Sequence, residues 1–241
     1  MTTKYIIFTI FVIFVILAIC LLIQKINIDL FEGFNGSDKT PSFHILIATS
    51  GRKSLHKMLN SLKNELNNND AITIVFDGEK SKQKSKISSE WLNGHKAHIN
   101  IIEQIPNLGY WGHGIRNKYQ GILSPECTFI MHADDDDKYI PGSFNKLRKS
   151  CIDKDTFYIA KMERIYKNHN KTTEIIPSIN NPKLLTLGNV GTPNFIVPSS
   201  IAPKGKWDNV YGGDFSYYNS VCNFANNIVI LDNVIYTIYK K

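Results

Sequence analysis

The order of three neighbouring segments constrains this chain most. Phe43-His44-Ile45-Leu46-Ile47-Ala48 is a short, nearly continuous apolar run that stops at Thr49-Ser50-Gly51. Leu55, Met58, Leu59, Leu62 and Leu66 then recur at helical spacing, which predicts an amphipathic helix over residues 53–67. Ile72-Thr73-Ile74-Val75-Phe76 follows as a second apolar run and stops at Asp77-Gly78. Strand, helix and strand in so short a stretch make a βαβ unit, whose two strands run parallel. The expected fold is therefore α/β, with a mostly parallel, Rossmann-like sheet flanked by helices. Further strands are expected near Ile99–Ile102, Thr128–Met131, Phe157–Ala160 and Phe195–Val197, with a helix over Gly112–Ile122. At the end, Ile228–Leu231 and Val234–Tyr239 flank Asp232-Asn233, a pattern that predicts a hairpin.

The strand at Thr128–Met131 runs into His132-Ala133-Asp134-Asp135-Asp136-Asp137. Four consecutive carboxylates repel one another, and Asp is a poor strand former. Placed after a buried strand, they lie at its carboxyl end, where open α/β sheets bind ligands. Hard oxygen donors there suit Mg²⁺ or Mn²⁺ bridging to a diphosphate. The bland alternative is an acidic turn that caps the helix after Pro141-Gly142. An EF-hand loop is excluded, because Tyr139 takes its glycine position and Asn145 its bidentate glutamate position.

Ahead of this domain, Tyr5 to Ile23 carry no charge. As a helix the run spans roughly 28 Å, about one bilayer core. It is longer than a secretory h-region, lacks a small-residue cleavage site and is apolar on every face. The expected organisation is a transmembrane anchor over residues 1–24, a stalk over 25–42 and one domain over 43–241. Lysines are too few on either side of the span to fix its orientation in the membrane. The formal charge of +7 permits anionic partners. Its densest cluster, Lys80 to Lys86, has no interleaved aromatic, and no nucleic-acid-binding motif occurs elsewhere, so nucleic acid is not an expected partner. Cys20, Cys127, Cys151 and Cys222 lack metal-site spacing.

Taken in order, these pieces resemble the glycosyltransferases of the GT-A fold, closest to family 2. The family's acidic strand end followed by a proline matches Asp134-Asp135-Asp136-Asp137 with Pro141. ILIATSGR resembles its opening strand and nucleotide-contacting turn, and Asn107-Leu108-Gly109 with Arg116-Asn117 resembles the segment before its acidic strand. The likeness covers about residues 43–220. It departs in the opening turn, Thr-Ser-Gly-Arg in place of an Asn-containing turn, and in Gly212-Gly213-Asp214-Phe215, where the family often has a Glu-Asp pair.

The resemblance implies a nucleotide-sugar donor, a UDP-sugar by preference, and an acceptor hydroxyl on a glycan, lipid or protein. It puts Asp134 and Asp136 on a divalent metal. It puts Thr49, Arg52, Asp77, Gly109, Arg116, Asn117 and Asp134 on the nucleotide sugar, and Trp207, Gly212 and Gly213 on the acceptor, where Trp207 and Tyr211 are able to stack on a sugar face. Asp214 is then the base of an inverting displacement, with Asp208 its fallback. Each residue also has a plainer reading: a strand-ending turn for Asp77, a surface helix residue for Arg116, a helix cap for Asp214, core for Trp207 and Tyr211. The competing functions are a catalytically silent sugar- or nucleotide-binding module on the same fold, and a nucleotidyltransferase, whose Gly-rich loop after the first strand is missing.

Overall fold

The computed structural model describes residues 40–79, 81–122, 126–166 and 172–240. The apolar run at Tyr5–Ile23 and the proposed stalk lie outside the described residues. Among those described, no helix is long and apolar enough to cross a membrane.

Strand β1 (Phe43–Thr49) leads through helix α1 (Leu55–Leu62) to β2 (Ala71–Asp77). Two short helical turns and β3 (His98–Gln104) follow, then helix α2 (His113–Tyr119) and β4 (Phe129–Asp134). The second half holds β5 (Lys138–Tyr139), α3 (Ser143–Ser150), β6 (Thr156–Tyr166), β7 (Thr173–Ile176), β8 (Phe195–Pro198), α4 (Gly213–Cys222) and β9 (Asn227–Lys240). One sheet runs in the order β3-β2-β1-β4-β8-β6-β9-β5, with β7 added on β6.

The βαβ unit forms as the apolar pattern predicts, and β3, β2, β1 and β4 are mutually parallel. The sheet as a whole is mixed, which corrects the expectation of a mostly parallel one. β8 is antiparallel to β4 and β6, and β5 is antiparallel to β9. Apolar runs read alike in either direction, and only the connection tells them apart. β8 is reached through irregular turns and short 3-10 segments, with no crossover helix.

The expected C-terminal hairpin is also corrected. β9 is one strand of 14 residues, parallel to β6. The register shifts near Lys161, where Asp232-Asn233 sits in the irregularity. Its polar side chains take partners there: Lys161 Nζ lies 2.9 Å from Asp232, and Ser150 donates to Asn233 over 3.0 Å. Turn-forming residues thus mark a bulge in a continuous strand.

Both sheet faces are covered, so successive residues of β1 alternate between two cores. Phe43, Ile45 and Ile47 pack with Leu55, Met58, Leu59 and Leu62 of α1 and with Phe144 and Leu147 of α3. Leu46 and Ala48 pack on the other face with Ile115 of α2 and Tyr217 and Val221 of α4. Glu65 accepts from the backbone of Gly142 (2.6 Å) and Phe144 (3.1 Å). The start of α3 is therefore satisfied by a residue beyond α1, and the acidic quartet is left for another role.

Pro41–Lys241 forms a compact unit of its own, and both cores lie within it. A chain starting at Pro41 is expected to fold and to melt cooperatively, as checked by circular dichroism. An insoluble or unfolded product would mean that earlier residues belong to the core.

Candidate active site

Strand pairing brings the opening turn and the acidic turn together, with Ala48 directly beside Asp134 in the β1–β4 register. Thr49 donates its hydroxyl to Asp135 over 2.5 Å and accepts from the Gly51 amide over 2.9 Å. Arg52 straddles the acidic turn, 2.6 Å from Asp135 and 2.6 Å from Asp136. Asp135 is fully buried, whereas Asp134 and Asp136 keep 32% and 47% of their side chains exposed. The quartet is thus divided by function. Asp135 fastens two turns together, and its neighbours face outward.

Arg116, read as a ligand or a surface residue, is buried. Its guanidinium pairs with Asp134 at 2.5 Å, donates to the Trp111 carbonyl at 3.0 Å and lies 4.9 Å from the Trp207 ring. Asp77 accepts from the amides of Leu108 (2.7 Å) and Gly109 (2.8 Å), so it holds the loop that follows β3. Beyond that loop the backbone is left-handed at four successive residues: Gly109 (φ 64), Tyr110 (φ 53), Trp111 (φ 52) and Gly112 (φ 86). The two aromatic residues pay about 1–2 kcal/mol each for this conformation. A side chain at Gly112 would also strike Ala48, 2.7 Å away.

Two clefts open at this end of the sheet. The smaller, about 230 Å³, is lined by Thr49, Arg52, Asp77, Gly109 and Asp134 among others. The larger, about 350 Å³, runs over Arg116, Asp136, Asp137, Arg164, Gly212 and Asp214. Arg52, Trp111 and Asp134 border both. Asp214 sits in the first turn of α4, where its carboxylate accepts from the Phe215 amide at 2.8 Å. Gly212, not Asp214, is the N-cap. Burial raises the Asp214 pKa, with Asp134 adding to the rise and Arg116 opposing it. Asp208 is exposed and borders neither cleft; its carbonyl is held by His113 Nδ1 at 2.8 Å.

Three expected site residues are placed elsewhere. Trp207 is buried and stacked on Tyr217, with centroids 4.4 Å apart and planes at 14°, so its faces are closed to an acceptor. Asn117 spends its amide on the Trp207 backbone, donating over 2.6 Å and accepting over 2.8 Å, and borders neither cleft. Gly213 is buried, and a side chain there would strike the Asp208 carbonyl and His113, so glycine is required here by the protein's own packing.

Other residues enter the site unforeseen. Trp111 lies between two glycines in a polar loop, a spacing that hints at unusual backbone. His113 borders the larger cleft, and since a carbonyl only accepts, its Nδ1 carries the hydrogen. Burial, then Arg116, lowers its pKa, so the ring is neutral and Nε2 is an acceptor. Asp137 is pushed up to about 8 by burial and then by Asp134 and Asp136. The repulsion anticipated for four adjacent carboxylates thus shows as a raised pKa at the one that is buried without an arginine.

Among the described residues no group of three or more His, Cys, Asp or Glu side chains could hold a metal ion. Asp134 and Asp136 are two partly exposed carboxylates on one cleft. That fits an ion of the Mg²⁺ type, held by one or two carboxylates together with water and substrate phosphates, and does not fit an all-protein cage.

The fold is shared with solved structures. The chain superposes on Staphylococcus aureus TarS with a TM-score of 0.61 at 18% identity, over 83% of this chain and 37% of that one. A TarS 1–349 structure in complex with UDP-GlcNAc gives 0.60 at 17%, over 83% and 59%. A mannosyltransferase from Pyrobaculum calidifontis, in complex with GDP-Man and Mn²⁺, gives 0.56 at 10%, over 92% and 67%. The chain has a GT-A fold. It spans 37% and 59% of the two TarS chains, under two thirds of each. No protein-family model matches the sequence, and no curated protein does.

Removing Asp135 strands the Thr49 hydroxyl and half of Arg52, so Asp135→Ala should cost about 1–3 kcal/mol of stability. Asp136→Ala breaks only an exposed ion pair and should cost about 0–1 kcal/mol. Thermal melts of the two variants check this; equal losses would mean that the acidic turn is not divided as described.

Proposed function

We propose that this chain is a glycosyltransferase, moving a sugar from a nucleotide donor to an acceptor hydroxyl with inversion. One observation carries the reading. Asp134, tied to the buried Arg116, stands where the two clefts meet, and Asp214 lines the cleft on one side of it. A donor laid along these clefts has its nucleoside by Thr49, Asp77 and Gly109 and its diphosphate by Asp134, Asp136, Arg52 and Arg116. Its sugar then reaches the larger cleft. Support comes from the similar structures, which hold UDP-GlcNAc in one case and GDP-Man with Mn²⁺ in another. A UDP-sugar is the preferred donor and a glycan, lipid or protein the acceptor. Residues 5–23 would anchor the enzyme in the membrane as a single span of either orientation.

In the transfer, the Asp214 carboxylate accepts the proton of the acceptor hydroxyl. That oxygen bonds to the anomeric carbon from the face opposite the diphosphate. The bond from that carbon to the phosphate oxygen breaks, and its electron pair leaves with the nucleoside diphosphate. Arg116 and Arg52 offer charge-assisted donors to the phosphate oxygens as this negative charge grows. A Mn²⁺ or Mg²⁺ ion bound at Asp134 and Asp136 would neutralise part of the same charge. His113 Nε2 can accept from a sugar hydroxyl in the larger cleft.

Incubation with UDP-, GDP- and CMP-sugars plus Mn²⁺ should give donor hydrolysis or transfer with one of them. EDTA and Asp136→Ala should each reduce it to background. Nucleotide binding with no turnover would instead identify a silent binding module, and activity undiminished by chelator would remove the metal from the scheme.

The Asp214 role is tested by pH. A base works only when deprotonated, and the pKa of Asp214 is raised, so activity should climb with pH through a limb above the usual carboxylate range. Asp214→Asn should remove that limb and lower turnover about 100-fold or more, with nucleotide affinity and melting temperature nearly unchanged. A lower melting temperature with activity preserved would make Asp214 a structural residue only.

A further inference from the structure

The proposed donor and base leave one part of the larger cleft unused. Trp111 and Tyr211 both line it, and they are 69% and 82% exposed. Their centroids lie 6.4 Å apart with planes at 81°. Large aromatic surface left open to water at a cleft mouth has a ligand as its natural cover.

The backbone shows that the indole is placed and not merely left over. Trp111 is held at φ 52, ψ 27, a conformation that bulky residues avoid. Gly109, Tyr110 and Gly112 supply the rest of the left-handed turn, and Arg116 fixes the Trp111 carbonyl. Strain kept in this way points to function. On the other side, Tyr211 precedes Gly212, whose left-handed backbone (φ 85) makes the turn into α4.

The chemistry around the pair selects the ligand. Parallel rings would sandwich a flat base, whereas two perpendicular faces form a corner. A pyranose fits such a corner, offering C–H groups to both rings and hydroxyls outward. Hydrogen-bonding groups to meet hydroxyls are at hand in His113, Thr192 and Arg164.

We infer that Trp111 and Tyr211 form a saccharide platform beside Asp214, and that the acceptor is a carbohydrate. The inference rests on the transferase reading for the word acceptor; the platform itself rests on the geometry alone.

The chain carries 3 tryptophans, and Trp91 and Trp207 are only 7% and 1% exposed. All three indoles emit, but only Trp111 is open to solvent, so a ligand-dependent shift in the emission of the full-length protein is assigned to Trp111, and its loss in Trp111→Gly checks the assignment. Neutral trisaccharides (maltotriose, cellotriose, chitotriose and mannotriose) are titrated against it, and separately UDP and GDP with Mn²⁺, whose affinities are also taken by calorimetry. At least one trisaccharide should shift the emission saturably. In Tyr211→Ala its binding should weaken about tenfold, read from the remaining indole. Trp111→Gly removes the indole but suits the left-handed backbone; its trisaccharide affinity, read by calorimetry, should fall about tenfold with the melting temperature equal or higher, and in Tyr211→Ala, at a residue that borders the larger cleft and not the smaller, nucleotide affinity should stay within about threefold.

Four outcomes decide otherwise. If UDP or GDP shifts the emission and Trp111→Gly weakens the nucleotide instead, the indole belongs to the donor and the platform is wrong. Should no trisaccharide bind to a protein that binds UDP or GDP, the platform fails while the transferase reading stands. Trisaccharide binding without nucleotide binding keeps the platform and overturns the transferase. If neither class binds, both are lost.

Discussion

The buried carboxylate of Asp135 is the constraint on which the working end of this protein depends. A charge in the interior must find partners, and this one takes the Thr49 hydroxyl and the Arg52 guanidinium. Both partners belong to the turn after β1, so the need to satisfy one acid fastens two strand ends in a fixed relation. Asp134 and Asp136, the residues on either side, then have no choice but to point away from it. The exposed carboxylates are displayed because the buried one is held.

A second layer of the same logic runs through Arg116. It is buried, yet two of its nitrogens are directed at Asp134 and at the carbonyl of Trp111. One guanidinium therefore connects the acidic turn to the left-handed loop, and the loop is fixed at its other end by Asp77 through the Leu108 and Gly109 amides. Three segments far apart in sequence share a single network of charged hydrogen bonds. Such networks are stiff, and a stiff cleft binds without first having to order itself.

Much of this was legible in the residues. The βαβ unit follows from apolar periodicity, and the placing of Asp134–Asp137 at a strand end follows from where the apolar run stops. What the sequence could not convey was partnership. Trp207 and Trp111 are both tryptophans near glycines, and only the packing of α4 decides that the first is core and the second is exposed. Asn117 looks like a ligand residue until its amide is seen to close on the Trp207 backbone. The direction of β8 and the continuity of β9 were hidden for a related reason: pairing depends on connections and on side-chain partners such as Lys161, not on local composition.

The long final strand has a temporal consequence. The Tyr236 hydroxyl meets both the amide and the carbonyl of Asp134 at 3.2 Å, and the Tyr239 amide reaches Asp137 at 3.3 Å, each across 102 residues of sequence. On a ribosome making roughly 5–20 residues per second, the acidic turn emerges some seconds, about 5–20, before the strand that steadies it. During that interval the carboxylates have their arginines but lack this backing, and the edge of β6 awaiting β9 is unpaired. The nascent chain thus passes through a stage with an open sheet edge beside an unfinished cleft, when a chaperone or a neighbouring chain has most to bind.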